Sequence, residues 1–189
     1  MSQPFPASSL RNAALLYGAM TGLAVLLALP LEHGLRVLAL PASPLDLLVG
    51  LAAGVLLLAA TGLAERFWPR FRALGDTMAA QLGPITPLRA LLLALLSGIG
   101  EEALFRGPLQ AALGVVAATV LFAALHGLGN RRLWPWPLFA AFAGGMFAAL
   151  AWQFHSPWPG AVAHVVVNAV NLRRLGQRYS RRAATGTDV

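Results

Sequence analysis

Six apolar stretches alternate with short polar segments along the chain, each near the roughly 20 residues that a helix needs to cross a bilayer. They cover 13–31 and 45–64, a third that starts near 88, a fourth that ends near 126–129, then 136–154 and 158–172. The pattern predicts an all-α, polytopic membrane helix bundle of about six transmembrane helices, since a helix satisfies its own backbone groups in lipid. The first stretch follows Arg11 as a signal peptide would, but its apolar core is too long for one and lacks a cleavage site. It is read as a helix. The loops leave no room for a soluble domain, so a single membrane domain is expected over 1–180, with a disordered tail at 181–189.

Composition supports this reading. Hydrophobic residues make up 58% of the chain and charged ones 11%, with a mean hydropathy of +0.68; soluble domains carry roughly 25% charge. The absence of cysteine excludes disulfides, thiolate nucleophiles and Cys-ligated metals. Every basic residue is arginine, and the net charge of +7 would suit nucleic acid if the arginines formed one basic arm. They do not. Arg11, Arg66, Arg70, Arg72, Arg89, Arg131, Arg132, Arg173, Arg174, Arg178, Arg181 and Arg182 fall on one side of a six-span topology, against Arg36 and at most Arg106 on the other. The bias predicts cytoplasmic N- and C-termini and a lipid bilayer, not nucleic acid, as the surrounding partner. Trp68, Trp134, Trp136, Trp152 and Trp158 all lie near span ends, where amphipathic rings anchor. The Arg-only, Ala/Leu-rich composition suits a multi-pass protein of a bacterial inner (plasma) membrane.

Against this background, Glu101 and Glu102 stand inside the third apolar stretch. A carboxylate in hydrocarbon is costly, and such residues mark functional sites. Glu102 and Arg106 are spaced i,i+4 with the acid first, the better order for a helical ion pair. Glu101 is turned about 100° away and free to face something else. The plain alternative is a buried ion pair with one incidental glutamate.

Two further polar patterns follow. Phe122 and His126 share a face of the fourth stretch, and His164 and Asn168 share one in the sixth, with Asn171 beyond. An imidazole and an amide in hydrocarbon need partners, and the expected ones are each other and the glutamates. His155, Glu32 with Arg36, Asp46, Asp76 and Ser97 read as interfacial, surface, helix-start, loop and packing residues in turn.

The position of the third turn decides whether these groups meet. A break at Gly107-Pro108 would leave Glu102 and His126 at depths differing by roughly 20 Å. A break near Leu113-Gly114 puts both about twelve residues from the turn, at one level. The second arrangement is expected, with Gly107-Pro108 as a kink that neighbouring helices tolerate. Counted to the nearest arginines, His126, His164 and Glu101 lie roughly 8, 14 and 18 Å below the cytoplasmic surface.

The set EExxxR, FxxxH and HxxxN, in order on successive apolar stretches over 88–172, resembles the CPBP intramembrane protease family. This family is also called Abi or CAAX protease and includes type II CAAX prenyl endopeptidases. The resemblance implies an intramembrane endopeptidase acting on a peptide or protein substrate in the membrane. It implies that Glu101 and His126 activate the attacking water, that His164 and Asn168 line the site and stabilise the oxyanion, and that Glu102 and Arg106 tune Glu101. Pro108 after the EExxxRG segment, and the short stretch between Arg106 and Phe122, depart from the family pattern.

Glu101, His126 and His164 could also hold Zn²⁺ with a position left for water. No HExxH helix is present, and a metal-independent Glu/His mechanism without a cofactor is the expectation. A proton-coupled transporter is the rival from another class, because glutamates and histidines in a bundle also relay protons; the lack of an internal repeat argues against it. A catalytically inactive immunity or scaffold membrane protein is the third reading.

Overall fold

The computed structural model describes residues 7–31, 43–127 and 133–185, and every regular element among them is helical. Helix α1 spans Ala7–Ala28, α2 Pro44–Phe67, α3 Pro69–Leu82 and α4 Pro87–Leu104. A π-helical segment, Phe105–Leu109, joins α4 to α5 (Gln110–Leu125), and α6 (Pro135–Phe154) and α7 (Trp158–Thr185) complete the chain. Proline opens α2, α3, α4 and α6, where its fixed φ suits the first turn and its missing N–H is not needed. Ser43 and Thr86 cap α2 and α4 by accepting from the backbone N–H of Asp46 and Arg89.

Among the described residues, four helices are long and apolar enough to cross a membrane: Leu10–Ala28, Pro44–Phe67, Pro87–Leu125 and Pro135–Phe154. The protein is an integral membrane protein. The count differs from six for two physical reasons. Expected spans three and four run together in Pro87–Leu125, which is folded back on itself at Gly114. The sixth lies in α7, whose polar residues and arginines lower its apolar character.

Gly114 is where the chain turns. Its φ of 80° and ψ of 167° lie outside the helical region and in a part of conformational space that side chains disfavour. Gly107-Pro108 instead forms the kink, with Gly107 at ψ −111° inside the π segment. A π turn absorbs the hydrogen bond that Pro108 cannot donate. The expected break near 113–114 therefore holds.

Helix α7 is the central element, packed against α2, α3, α4 and α6. Its approach to α2 depends on Gly50 and Gly54, one turn apart. A Cβ at either would come within 3 Å of the Val162 or Val166 side chain. Small residues at this spacing let membrane helices meet closely.

Helix α3 was not expected; its residues, Asp76 among them, read as a polar loop. Phe71, Leu74, Gly75 and Ala79 form one buried face, and Phe71 and Leu74 pack with Leu133 beside Trp68, Trp136 and Phe139. Arg72 returns to α2 and donates to the carbonyls of Glu65 (3.0 Å) and Arg66 (3.1 Å), which the helix end leaves free. Arg178 of α7 ties α2 to α3 through Glu65 (3.0 Å) and Asp76 (3.5 Å), and Arg182 also reaches Asp76 (3.4 Å). Helix α7 continues to Thr185, so residues 181–185 are helical where a disordered tail was expected. Glu32, Arg36, Arg131, Arg132 and residues 186–189 lie outside the described residues.

Candidate active site

The fold at Gly114 brings the two legs of the bent helix together with their polar residues in register. Glu101 and His126 face each other across the hairpin, Glu101 Oε2 lying 3.6 Å from His126 Nε2. One layer closer to the turn, the Arg106 guanidinium lies 5.1 Å from the Phe122 ring centroid. Phe122 also packs edge-on against Phe105, at 5.1 Å. These contacts form one cluster with Ala103, Leu104 and Ala123, so an apolar plug seals the site from below.

Glu102 is completely buried and uses both oxygens. Oε2 accepts from Arg106 Nε at 3.1 Å, within a pair whose side chains are both inaccessible to solvent. Oε1 lies 3.2 Å from Nδ1 of His164. An ion pair this deep survives only with such hydrogen bonds to offset desolvation. Arg106 fixes Glu102, and Glu102 in turn fixes the His164 ring, which stacks on Phe147 at 5.1 Å.

The imidazole tautomers follow from these partners. His126 Nδ1 lies 2.7 Å from the carbonyl oxygen of Phe122. A carbonyl only accepts, so Nδ1 carries the proton and Nε2 of the neutral ring presents a lone pair. The same argument applies to His164, whose Nδ1 faces a carboxylate held by an arginine. Nε2 of His164 then points at Glu101, 3.9 Å from Oε2. Two imidazole nitrogens thus converge on one carboxylate oxygen at separations too long for direct hydrogen bonds but within the span of a bridging water.

Asn168 stands apart from His164. Its Nδ2 donates to Ser97 Oγ at 2.9 Å, and Ser97 donates onward to the Ala94 carbonyl. The expected His164–Asn168 pairing gives way because Glu102 already occupies the inner nitrogen of the imidazole. Ser97, read from sequence as a packing residue, is the partner of Asn168. It sits one turn before Glu101 on the same face of α4, a spacing that could have revealed it.

Tyr17 is the other residue that sequence reasoning passed over. It reaches the site from α1 and lines the same cavity as Glu101. Isolated in an apolar span with no patterned neighbour, it gave no local signal.

Tyr17, Ser97, Glu101, His126, His164 and Asn168 all line one cavity of about 360 Å³. They make up its polar wall. The opposite wall is apolar and comes largely from α3, through Phe71, Leu74 and Met78. The cavity reaches Glu65, Arg174 and Arg178 at the polar end of α7.

Residues 83–170 match a family model described as type II CAAX prenyl endopeptidase Rce1-like. The motif-bearing region is similar to that family. The match covers nearly the same stretch, 88–172, on which the three motifs lie, and the family is one of CAAX-type intramembrane endopeptidases. Helices α1, α2 and α3 fall outside the matched residues. Comparison with curated proteins and with solved structures gives no match.

Two imidazole nitrogens with their far nitrogens held by a carbonyl and a carboxylate, plus one carboxylate, suit a catalytic Zn²⁺ site chemically. Among the described residues no group of three or more His, Asp or Glu side chains is arranged to hold a metal ion.

Proposed function

We propose that the protein is an intramembrane endopeptidase that hydrolyses peptide bonds of membrane-associated or CAAX-like substrates with water activated between Glu101 and His126. The convergence of the His126 and His164 Nε2 atoms on Glu101 Oε2 carries this reading. A water bridging Glu101 and His126 passes its proton to that pair as it attacks the scissile carbonyl. The resulting imidazolium, or the carboxylic acid, is steadied by its partner and later protonates the departing amine.

His164 lies between two carboxylates; with Nδ1–H held by Glu102, its Nε2 donates to the oxyanion once the ring takes up a second proton. The Asn168 amide, held by Ser97, is the second donor to the developing charge. Glu102 and Arg106 work through His164, holding its ring and leaving Nε2 to face the reacting atoms. The apolar α3 wall and the plug below exclude bulk water, which strengthens each of these interactions.

The reaction is proposed to need no cofactor. A Zn²⁺ ion held by Glu101, His126 and His164 would instead supply Lewis-acid polarisation of the water. Metal content of active protein and its survival of chelator decide between the two; retained activity in metal-free protein is expected. The substrate reaches the site within the bilayer, and the arginine distribution supports a bacterial inner-membrane location with both termini cytoplasmic.

The test is a screen of prenylated CAAX and transmembrane peptides with detergent-solubilised protein. Cleavage that vanishes in Glu101→Ala and His126→Ala supports the reading. No cleavage of any peptide, combined with proton-dependent flux in liposomes, replaces it with a transporter.

A further inference from the structure

Helix α1 is mostly exposed, yet it packs along α4 beside the site. The contact includes Gly100, the residue before Glu101. A Cβ there would lie 3.0 Å from the Tyr17 backbone oxygen and 3.1 Å from the Tyr17 Cβ. The glycine at position 100 therefore lets the Tyr17 backbone settle closely on α4, where a Cβ would have to push it back by a few tenths of an ångström. The same contact sends the phenol into the cavity that Glu101, His126 and His164 line.

Glu101 needs such a partner. Its Oε2 is buried without a direct hydrogen bond and faces two imidazoles. Glu102 has Arg106 and His164 to orient it; no arginine or lysine pairs with Glu101 among the described residues. A carboxylate that must hold one oxygen toward a water gains from a donor that restrains its rotation.

We propose that Tyr17 is a positioning residue for the reaction. Its phenol donates a hydrogen bond to the Glu101 carboxylate and fixes the orientation in which Oε2 faces His126 and His164. The catalytic unit then comprises α1 as well as the region that carries the family motifs, and α1 is required for turnover and not merely for anchoring. The inference rests on the endopeptidase reading for its consequence, but the contact itself can be measured without activity.

The experiment uses the full chain in detergent. Tyr17→Phe keeps the ring and removes the donor. Turnover should fall about tenfold or more with KM and melting temperature unchanged, the pattern of an interaction made in the transition state. The chain has only two tyrosines, Tyr17 and Tyr179, so labelling the ring carbon that bears the oxygen gives two assignable NMR resonances. The resonance missing from Tyr17→Phe should move in Glu101→Gln, while that of Tyr179 stays. Wild-type turnover in Tyr17→Phe overturns the role of Tyr17 and leaves the endopeptidase reading intact. An unmoved Tyr17 resonance overturns the contact. If the wild type cleaves nothing, the endopeptidase reading fails, and the resonance still decides whether Tyr17 holds Glu101.

Discussion

Glu101 Oε2 and His126 Nε2 lie 3.6 Å apart because Gly114 folds a 39-residue apolar helix back on itself midway between them. Neither residue alone points to more than packing. Their meeting at one depth, with His164 on the third side, is what supports the proposed active site.

The hairpin depends on a backbone conformation that side chains disfavour. Gly114→Ala should destabilise the protein by about 1–2 kcal/mol, the cost of placing a Cβ at positive φ. Open space surrounds the position, so no steric clash adds to it. A thermal melt in detergent checks the loss, and activity should fall with it, because the registry of Glu101 with His126 is set at this turn.

Arg106 lies at the bottom of the site with no exposed side-chain surface. Arg106→Ala leaves the Glu102 charge buried and unpaired, which should cost about 3–5 kcal/mol. Arg106→Ala paired with Glu102→Leu should recover much of that stability without recovering activity, since His164 still lacks its partner. Unfolding midpoints of the two variants measure the difference.

Ser97→Ala removes the acceptor for Asn168 Nδ2. The freed amide loses its orientation toward the substrate, so kcat should fall about tenfold with little change in KM. Asn168→Ala should be no better with Ser97→Ala added than alone, because the two act as a unit. Steady-state kinetics of the single and double variants test this.

The α3 wall is held to α2 and α7 by Arg178, which is about a quarter exposed. Arg178→Ala should leave the melting temperature nearly unchanged, as partly solvated ion pairs contribute little. It should loosen α3 over the cavity, seen as faster backbone hydrogen exchange in 69–82.

Much of this arrangement could be read in the sequence, and the rest could not for identifiable reasons. Apolar length revealed the membrane helices, and the depth of Glu101 against His126 placed the turn at Gly114 and not at Gly107-Pro108. The Glu102–Arg106 pair followed from helical spacing alone. Helix α3 was missed because its polar face dominates a short segment, and its apolar face is recognisable only once Leu133 and Phe139 pack against it. The end of α7 looked disordered because its arginines appear unpartnered until Asp76 arrives from α3. Ser97 and Tyr17 were invisible for a related reason: each is a single polar residue whose partner comes from another helix.

The most direct measurement compares peptide cleavage by purified wild type and Glu101→Gln, a substitution that keeps the shape of the side chain and removes its ability to take a proton. With equal melting temperatures, the variant should turn over roughly 10²–10⁴-fold more slowly, the range expected for loss of a general base. A Glu101→Gln protein that cleaves the same peptide at the wild-type rate would contradict the account.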